Sequence, residues 1–220
     1  MSMNPSFSLE IGFVILAISL VTLFAYVLKS RRFLLLGTVW LAVTAGIAKN
    51  NLLIDFSSTP PRIFFLLIPA LTVTIYLGLS KLGKRLSDLP LVFLVGYQTF
   101  RIPVELLIHQ AVVEGVAPLQ MSWNGMNFDI LSGASALLLC FFVERVPKWV
   151  VLLWNTISLG LLAWVVGVAI LSFPSAFQQL KPDNVWVAYF PFIWLPTVAV
   201  TGAFLGHIVV FRKLLKSYAE

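Results

Sequence analysis

The sequence predicts an all-α, polytopic membrane protein with seven transmembrane helices, its N-terminus outside and its C-terminus in the cytoplasm. Of the 220 residues, 60% are hydrophobic and only 11% are charged, and the mean hydropathy is +0.96. A soluble domain of this length needs more polar surface. The apolar residues also fall into windows long enough to span a bilayer, and cations are shared unequally between the two ends of those windows.

Seven apolar windows, most of them about 20 residues long, predict the helices. Turn formers and charged residues separate the windows, as in "KSRR" and "KLGKRLSD". The first segment has no basic n-region and no small-residue cleavage site, so we expect an uncleaved first helix. Residues 1–220 are expected to form one transmembrane domain. Its helices are predicted near 9–28, 33–49, 62–80, 89–113, 128–143, 148–171 and 186–211.

The cations predict the orientation of the bundle. Eleven of the 15 Lys and Arg residues lie on one predicted side and three on the other, while Arg101 lies within a helix. The positive-inside rule assigns the richer side to the cytoplasm. The net charge of +6 is therefore interpreted as an insertion signal, which implies a lipid bilayer as partner and no nucleic acid. The eleven cations are Lys29, Arg31, Arg32, Lys81, Lys84, Arg85, Arg145, Lys148, Arg212, Lys213 and Lys216.

The fifth predicted helix is short for a membrane span. Its uncharged residues, 130–143, would extend about 21 Å as a helix, whereas the hydrocarbon core is about 30 Å thick. The preceding loop, "GVAPLQMSWNGMNFD", is rich in apolar side chains. Irregular backbone at membrane depth is tolerated only against protein or a wet cavity. We therefore expect this loop to be partly re-entrant on the outer side.

The fourth predicted helix carries a narrow polar stripe in the segment "FRIPVELLIHQ". At about 100° per residue its members fall within an arc of about 80°. An arginine at a helix centre costs about 2.5–3.5 kcal/mol in a membrane, so the stripe is expected to face the bundle interior or trapped water. Pro103 removes a backbone donor and predicts a kink beside the stripe. The stripe consists of Gln98, Arg101, Glu105 and His109.

Two polar residues, Asn127 and Asp129, are expected to open the fifth helix on the same outer side. They can cap free backbone N–H groups, or they can line the rim of a cavity that holds Glu105 and His109. Trp123 is expected either to cover that cavity or to anchor the loop at the interface. The candidate ligand-binding or proton-relay residues are Gln98, Arg101, Glu105, His109, Asn127 and Asp129.

Two further features concern helix contacts. His207 and Asn155 lie at comparable depth toward the cytoplasmic side and are expected to bond to each other across helices. Gly202 and Gly206 form a GxxxG pair, which allows close helix approach. The sequence leaves open whether that approach lies within the chain or in a homo-oligomer.

The segments "FRIPVE" and "GMNFDI", separated by a glycine-proline loop, resemble an uncharacterised family of bacterial multi-helix integral membrane proteins. The resemblance covers residues 98–136. It implies a multi-pass protein of the bacterial inner membrane and implies nothing about chemistry.

Three functions fit this pattern. The first is binding or transport of a small solute or protons through an outward-facing polar cavity, with Glu105 as the exchanging carboxylate and His109 as a relay. The second is a membrane-embedded enzyme that uses Glu105 and His109 as an acid-base pair. The third is a structural or assembly subunit in which the stripe serves packing. No catalytic motif, metal site or cofactor is predicted, since His109 and His207 fall on opposite sides of the membrane.

Overall fold

The structure, a computed structural model, describes residues 4–219, with side chains up to Lys216. Throughout this range the regular elements are helices. They are α1 (Phe7–Val27), α2 (Arg31–Lys49), α3 (Phe64–Leu79), α4 (Lys81–Ser87), α5 (Leu91–Tyr97), α6 (Arg101–Val113), α7 (Ile130–Cys140), α8 (Lys148–Leu171) and α9 (Thr201–Ala219).

Several of these helices are suited to cross a membrane. In the described residues five stretches are long and apolar enough, and the pair α3–α4, bent by 63°, would make a sixth. Helix α7 is apolar but has only 11 residues. The five stretches are Phe7–Val27, Arg31–Lys49, Leu91–Val113, Lys148–Leu171 and Leu195–Lys216.

Two predicted boundaries are wrong. The last helix does not begin at residue 186, because Trp186–Ala188 is an isolated 3-10 turn and helical structure resumes with a π-helical turn at Leu195–Val200. Pro191 disfavours helical backbone at the residue before it, whereas Pro196 is tolerated in a first turn. The predicted connection at 81–88 contains the helix α4. Its backbone is capped by Ser80, whose side chain accepts a hydrogen bond from the Leu82 amide.

Near the kink predicted at Pro103, the polar-stripe helix contains a single 3-10 turn, Gln98–Phe100, between α5 and α6. Pro103 carries no N–H, so the backbone here cannot form an uninterrupted α-helical ladder. The Arg101 amide instead donates to the Gln98 carbonyl. The turn packs against α7, which brings the first residues of α6 beside the start of α7.

The loop between α6 and α7 folds back onto the bundle. Its 3-10 turn, Leu119–Met121, packs against α6 and α8. The indole of Trp164 donates to the Met126 carbonyl at 2.8 Å. Met121 and Ser122 are buried, so this loop is part of the protein interior, as its apolar composition predicts.

Helix α9 lies at the centre of the packing and contacts α3, α4, α5 and α8. The GxxxG pair lies on its buried side, where Gly202 faces the Tyr97 ring and Gly206 faces both Tyr97 and Gln98. Both glycines therefore make a close approach to other parts of the same chain.

Helices α6 and α7 approach most closely at Gly133. A Cβ atom on Gly133 would lie 2.9 Å from the Ile102 backbone nitrogen, and backbone cannot yield as a side chain does. We expect Gly133→Ala to lower the free energy of unfolding by about 1–3 kcal/mol through overpacking. SDS titration of the purified protein measures the change.

Gly160→Ala is the matched control, because a Cβ there meets no heavy atom within 4 Å. Alanine also forms helix more readily than glycine. Equal losses in the two variants would contradict the α6–α7 contact.

Candidate functional site

Polar side chains from α6, α8, α9 and the residues just before α7 meet in one buried, hydrogen-bonded group. All of its members are buried, although the helices that contribute to it are otherwise mostly apolar. We call this group the buried polar cluster. It consists of Arg101, Glu105, Asn127, Asp129, Asn155, Ser158 and His207.

An ion pair between Arg101 and Asp129 forms the core of the cluster. Arg101 Nε donates to Asp129 Oδ2 at 2.7 Å, and Arg101 Nη2 donates to Asp129 Oδ1. This two-point geometry is the strongest that arginine makes with a carboxylate. The two residues are only 1% and 4% exposed, so the pair is shielded from water and from lipid. The expectation that Arg101 faces the bundle interior is confirmed.

The other side of the guanidinium contacts α8 and α9. Arg101 Nη1 donates to Ser158 Oγ at 2.9 Å and lies 3.0 Å from His207 Nε2. A guanidinium can only donate, so His207 Nε2 must be the acceptor. The proton of a neutral His207 ring then sits on Nδ1, which lies 2.8 Å from Asn155 Oδ1.

The expected contact between His207 and Asn155 is therefore present. Asn155 also donates through Nδ2 to the His207 carbonyl at 3.2 Å. The link from this pair to Arg101 is not something that sequence position alone indicates. The sequence does contain a pattern that indicates a polar contact here. Asn155 and Ser158 share one face of an apolar helix, and burying polar side chains in such a helix costs free energy unless they find hydrogen-bond partners.

Glu105 does not pair with a cation. Its Oε2 accepts one hydrogen bond, from Asn127 Nδ2 at 2.8 Å. Within residues 4–219 no hydrogen bond to Oε1 and no ion pair of this carboxylate is present. Arg101, one turn away on the same helix, is engaged by Asp129. Glu105 is nevertheless 2% exposed, which makes it a buried carboxylate with a single neutral donor.

Asn127 links the carboxylate of Glu105 to the backbone amide of Asp129. While its Nδ2 donates to Glu105, its Oδ1 accepts from the Asp129 backbone amide at 2.9 Å. The same Nδ2 donates to the Met121 carbonyl at 2.9 Å. Asn127 therefore both satisfies an amide at the start of α7 and holds Glu105. The side chain of Asp129 makes no capping bond and serves Arg101 instead.

The remaining two predicted residues lie outside the cluster. Gln98 is buried and donates to the Ala203 carbonyl at 3.1 Å, with its Oε1 unbonded within the described chain. His109 is partly buried and stacks on Trp123, with ring centroids 4.1 Å apart and an angle of 14° between the planes. No hydrogen bond joins His109 to Glu105 among the described residues. The expected acid-base contact is thus not formed.

The buried polar cluster has the groups needed to bind a proton or a small cation. Across residues 4–219 no group of three or more His, Cys, Asp or Glu side chains lies close enough to hold a metal ion. The Arg101–Asp129 pair is neutral as a unit, so an ionised Glu105 would leave one uncompensated negative charge. Such a charge costs several kcal/mol in a low-dielectric interior.

In comparisons with known proteins, no family model, no curated protein and no solved structure matches this chain. Function must therefore be inferred from the buried polar cluster.

We expect Arg101→Gln to lower the free energy of unfolding by about 3–5 kcal/mol, because it leaves Asp129 buried without a cation. Arg101→Gln combined with Asp129→Asn is expected to recover part of that loss. SDS titration of both variants and of Asp129→Asn gives the coupling energy.

Asp55→Asn is the exposed control. Hydrogen bonds from Ser57, together with the charge of Arg62, hold the pKa of Asp55 below its usual range. Its ion pair with Arg62 is largely solvated, and pairs of this kind contribute little. Additive losses in the double variant of Arg101 and Asp129 would show that these two side chains are not coupled.

Proposed function

We propose that this chain is a proton-binding or small-solute-binding transport protein of the bacterial inner membrane. It crosses the bilayer seven times, with its N-terminus outside and its C-terminus in the cytoplasm. The observation that carries the proposal is Glu105, a carboxylate that is buried, lacks a cation and accepts a single hydrogen bond from Asn127. Binding a proton or a small cation removes the cost of its charge.

The seventh crossing in this scheme is α7. It has 11 residues, which reach about 16 Å and do not span a hydrocarbon core of about 30 Å. The loop before it supplies the missing depth, since the turn Leu119–Met121 packs against α6 and α8. The bilayer is also able to thin around a short span.

The route to Glu105 from outside passes the α6–α7 loop. Asn127 of this loop donates both to Glu105 and to the Met121 carbonyl, and the ring of Trp123 covers His109 one turn further out on α6. Glu105 is closed off in the present arrangement, so exchange with the outer side requires this loop to move. In this proposal His109, which makes no hydrogen bond to Glu105 in the described residues, passes protons between the surface and Glu105 after the loop has moved.

A second candidate is a structural or assembly subunit. It is favoured by Arg101, whose Nε, Nη1 and Nη2 atoms are all hydrogen-bonded, to partners that include Asp129, Ser158 and His207. Such a network fixes four helices in one arrangement whether or not anything is transported. The enzyme hypothesis has less support, because Glu105 and His109 make no contact that would pair an acid with a base.

The topology is tested by labelling single cysteines. In a Cys140→Ala background, Asn124→Cys and Ser57→Cys should react with an impermeant maleimide in right-side-out vesicles, since both lie in predicted outer loops. Arg145→Cys should react only in inverted vesicles. All three native residues are exposed. Labelling of Asn124→Cys and Arg145→Cys from one side would rule out a crossing by α7.

Transport is tested with protons in liposomes. A potassium gradient with valinomycin should drive proton uptake into vesicles that contain the wild-type protein, reported by a pH-sensitive dye inside. Glu105→Gln should reduce the uptake to that of empty vesicles, because glutamine has similar shape but exchanges no proton. Its free energy of unfolding should not fall, since the glutamine side chain still accepts from Asn127.

Glu144→Gln is the matched control, because Glu144 is exposed in the loop between α7 and α8. It should transport as the wild type does. Wild-type uptake by Glu105→Gln, or no proton uptake by the wild type, would refute proton transport through Glu105. Either result would favour the structural role of the cluster.

A further inference from the structure

A large groove that the residues of the buried polar cluster do not line lies between α2 and α3. Helix α2 packs on α1, whereas α3 packs on α9, so the two helices stand apart and leave a volume of about 510 Å³. This is within the range of ligand pockets, about 300–1,000 Å³. Helix α1 and residues 197–205 form its floor. We call it the α2–α3 groove.

The groove walls are apolar in effect. The threonine hydroxyl groups of the walls already donate to backbone carbonyls: Thr74 donates to Ala70, Thr197 to Ile193 and Thr201 to Thr197. The indole of Trp40 donates to the Thr197 carbonyl at 3.3 Å. These groups have no need of a polar ligand, so the walls fit a hydrocarbon chain.

One end of the groove is different, because Arg32 lines it. This side chain is exposed, and no hydrogen bond or ion pair to it is present in the described residues. Nearby cations are engaged with carbonyl groups: Arg85 donates to Leu28, and Arg212 donates to Gly78 and Ser80. Arg32 is thus the charged group at the mouth that is free to bind an anion.

The length of the groove also matches one membrane leaflet. From Arg32 to Trp40 along α2 the backbone rises about 12 Å, and half of a hydrocarbon core is about 15 Å. The groove therefore runs from the membrane surface at Arg32 toward the bilayer centre at Trp40. An apolar slot of leaflet depth with a cation at its mouth is complementary to a phospholipid.

We propose that the α2–α3 groove binds an anionic phospholipid of the cytoplasmic leaflet. One acyl chain lies in the groove, and Arg32 holds the phosphate. The site rests on the proposed orientation, which puts Arg32 at the cytoplasmic surface, but it does not depend on Glu105 or on transport.

Native mass spectrometry of the detergent-purified protein tests this site with phosphatidylglycerol and phosphatidylcholine of identical chains. The wild type should retain phosphatidylglycerol in preference to phosphatidylcholine. Arg32→Gln should reduce retention of phosphatidylglycerol about fivefold, the effect of one cation at a membrane surface, and leave phosphatidylcholine unchanged. Val73→Trp, on a groove residue that is 54% exposed, should reduce retention of both lipids.

Arg31→Gln is the matched control, because Arg31 is an exposed cation next in sequence that does not line the groove. It should bind phosphatidylglycerol as the wild type does. Equal losses in Arg31→Gln and Arg32→Gln would overturn the site in favour of diffuse surface charge. Unchanged binding in Val73→Trp, or equal retention of the two lipids by the wild type, would also overturn it.

The lipid site and the proposed transport function can be refuted independently of each other. Glu105→Gln should keep the lipid preference of the wild type, because Glu105 does not line the groove. Arg32→Gln should still take up protons in liposomes. Loss of lipid preference in Glu105→Gln would mean that the groove is not an independent site.

Discussion

The arrangement of this protein depends on one requirement: a guanidinium inside an apolar bundle must have its donors bonded by protein. Arg101 meets it with a carboxylate on one side and with Ser158 and His207 on the other. These partners come from the start of α7 and from α8 and α9. Removal of Arg101 would leave unbonded polar groups on three helices, so one side chain specifies how four helices pack.

The two carboxylates of the cluster are both buried and differ in whether they pair with a cation. Asp129 is neutralised by Arg101 and belongs to the framework. Glu105 has only a neutral amide beside it, so its charge is not compensated by the protein. The cluster therefore holds one carboxylate in an ion pair and leaves the other without a cation, and the transport that we propose rests on this second carboxylate.

The sequence predicts the membrane-protein class, most helix positions and the inward direction of the polar stripe, because these follow from hydropathy and from helical periodicity. It does not predict the partner of Arg101. Glu105 is one turn away along the chain and Asp129 is 28 residues away, but the start of α7 lies closer to the guanidinium in space. His109 shares the helical face with Glu105, yet its ring stacks on Trp123. The spacing of residues in the sequence determines which face of a helix a side chain occupies. It does not determine which side chain of another element that side chain contacts.

Asn127 gives the cluster a further property. Its amide bonds the loop at Met121, the carboxylate of Glu105 and the backbone amide of Asp129 at the same time. A displacement of Asn127 that exposes Glu105 therefore also releases the backbone amide of Asp129, the residue that forms the ion pair with Arg101. The hydration of Glu105 and the strength of the Arg101–Asp129 ion pair are therefore coupled through the side chain of Asn127.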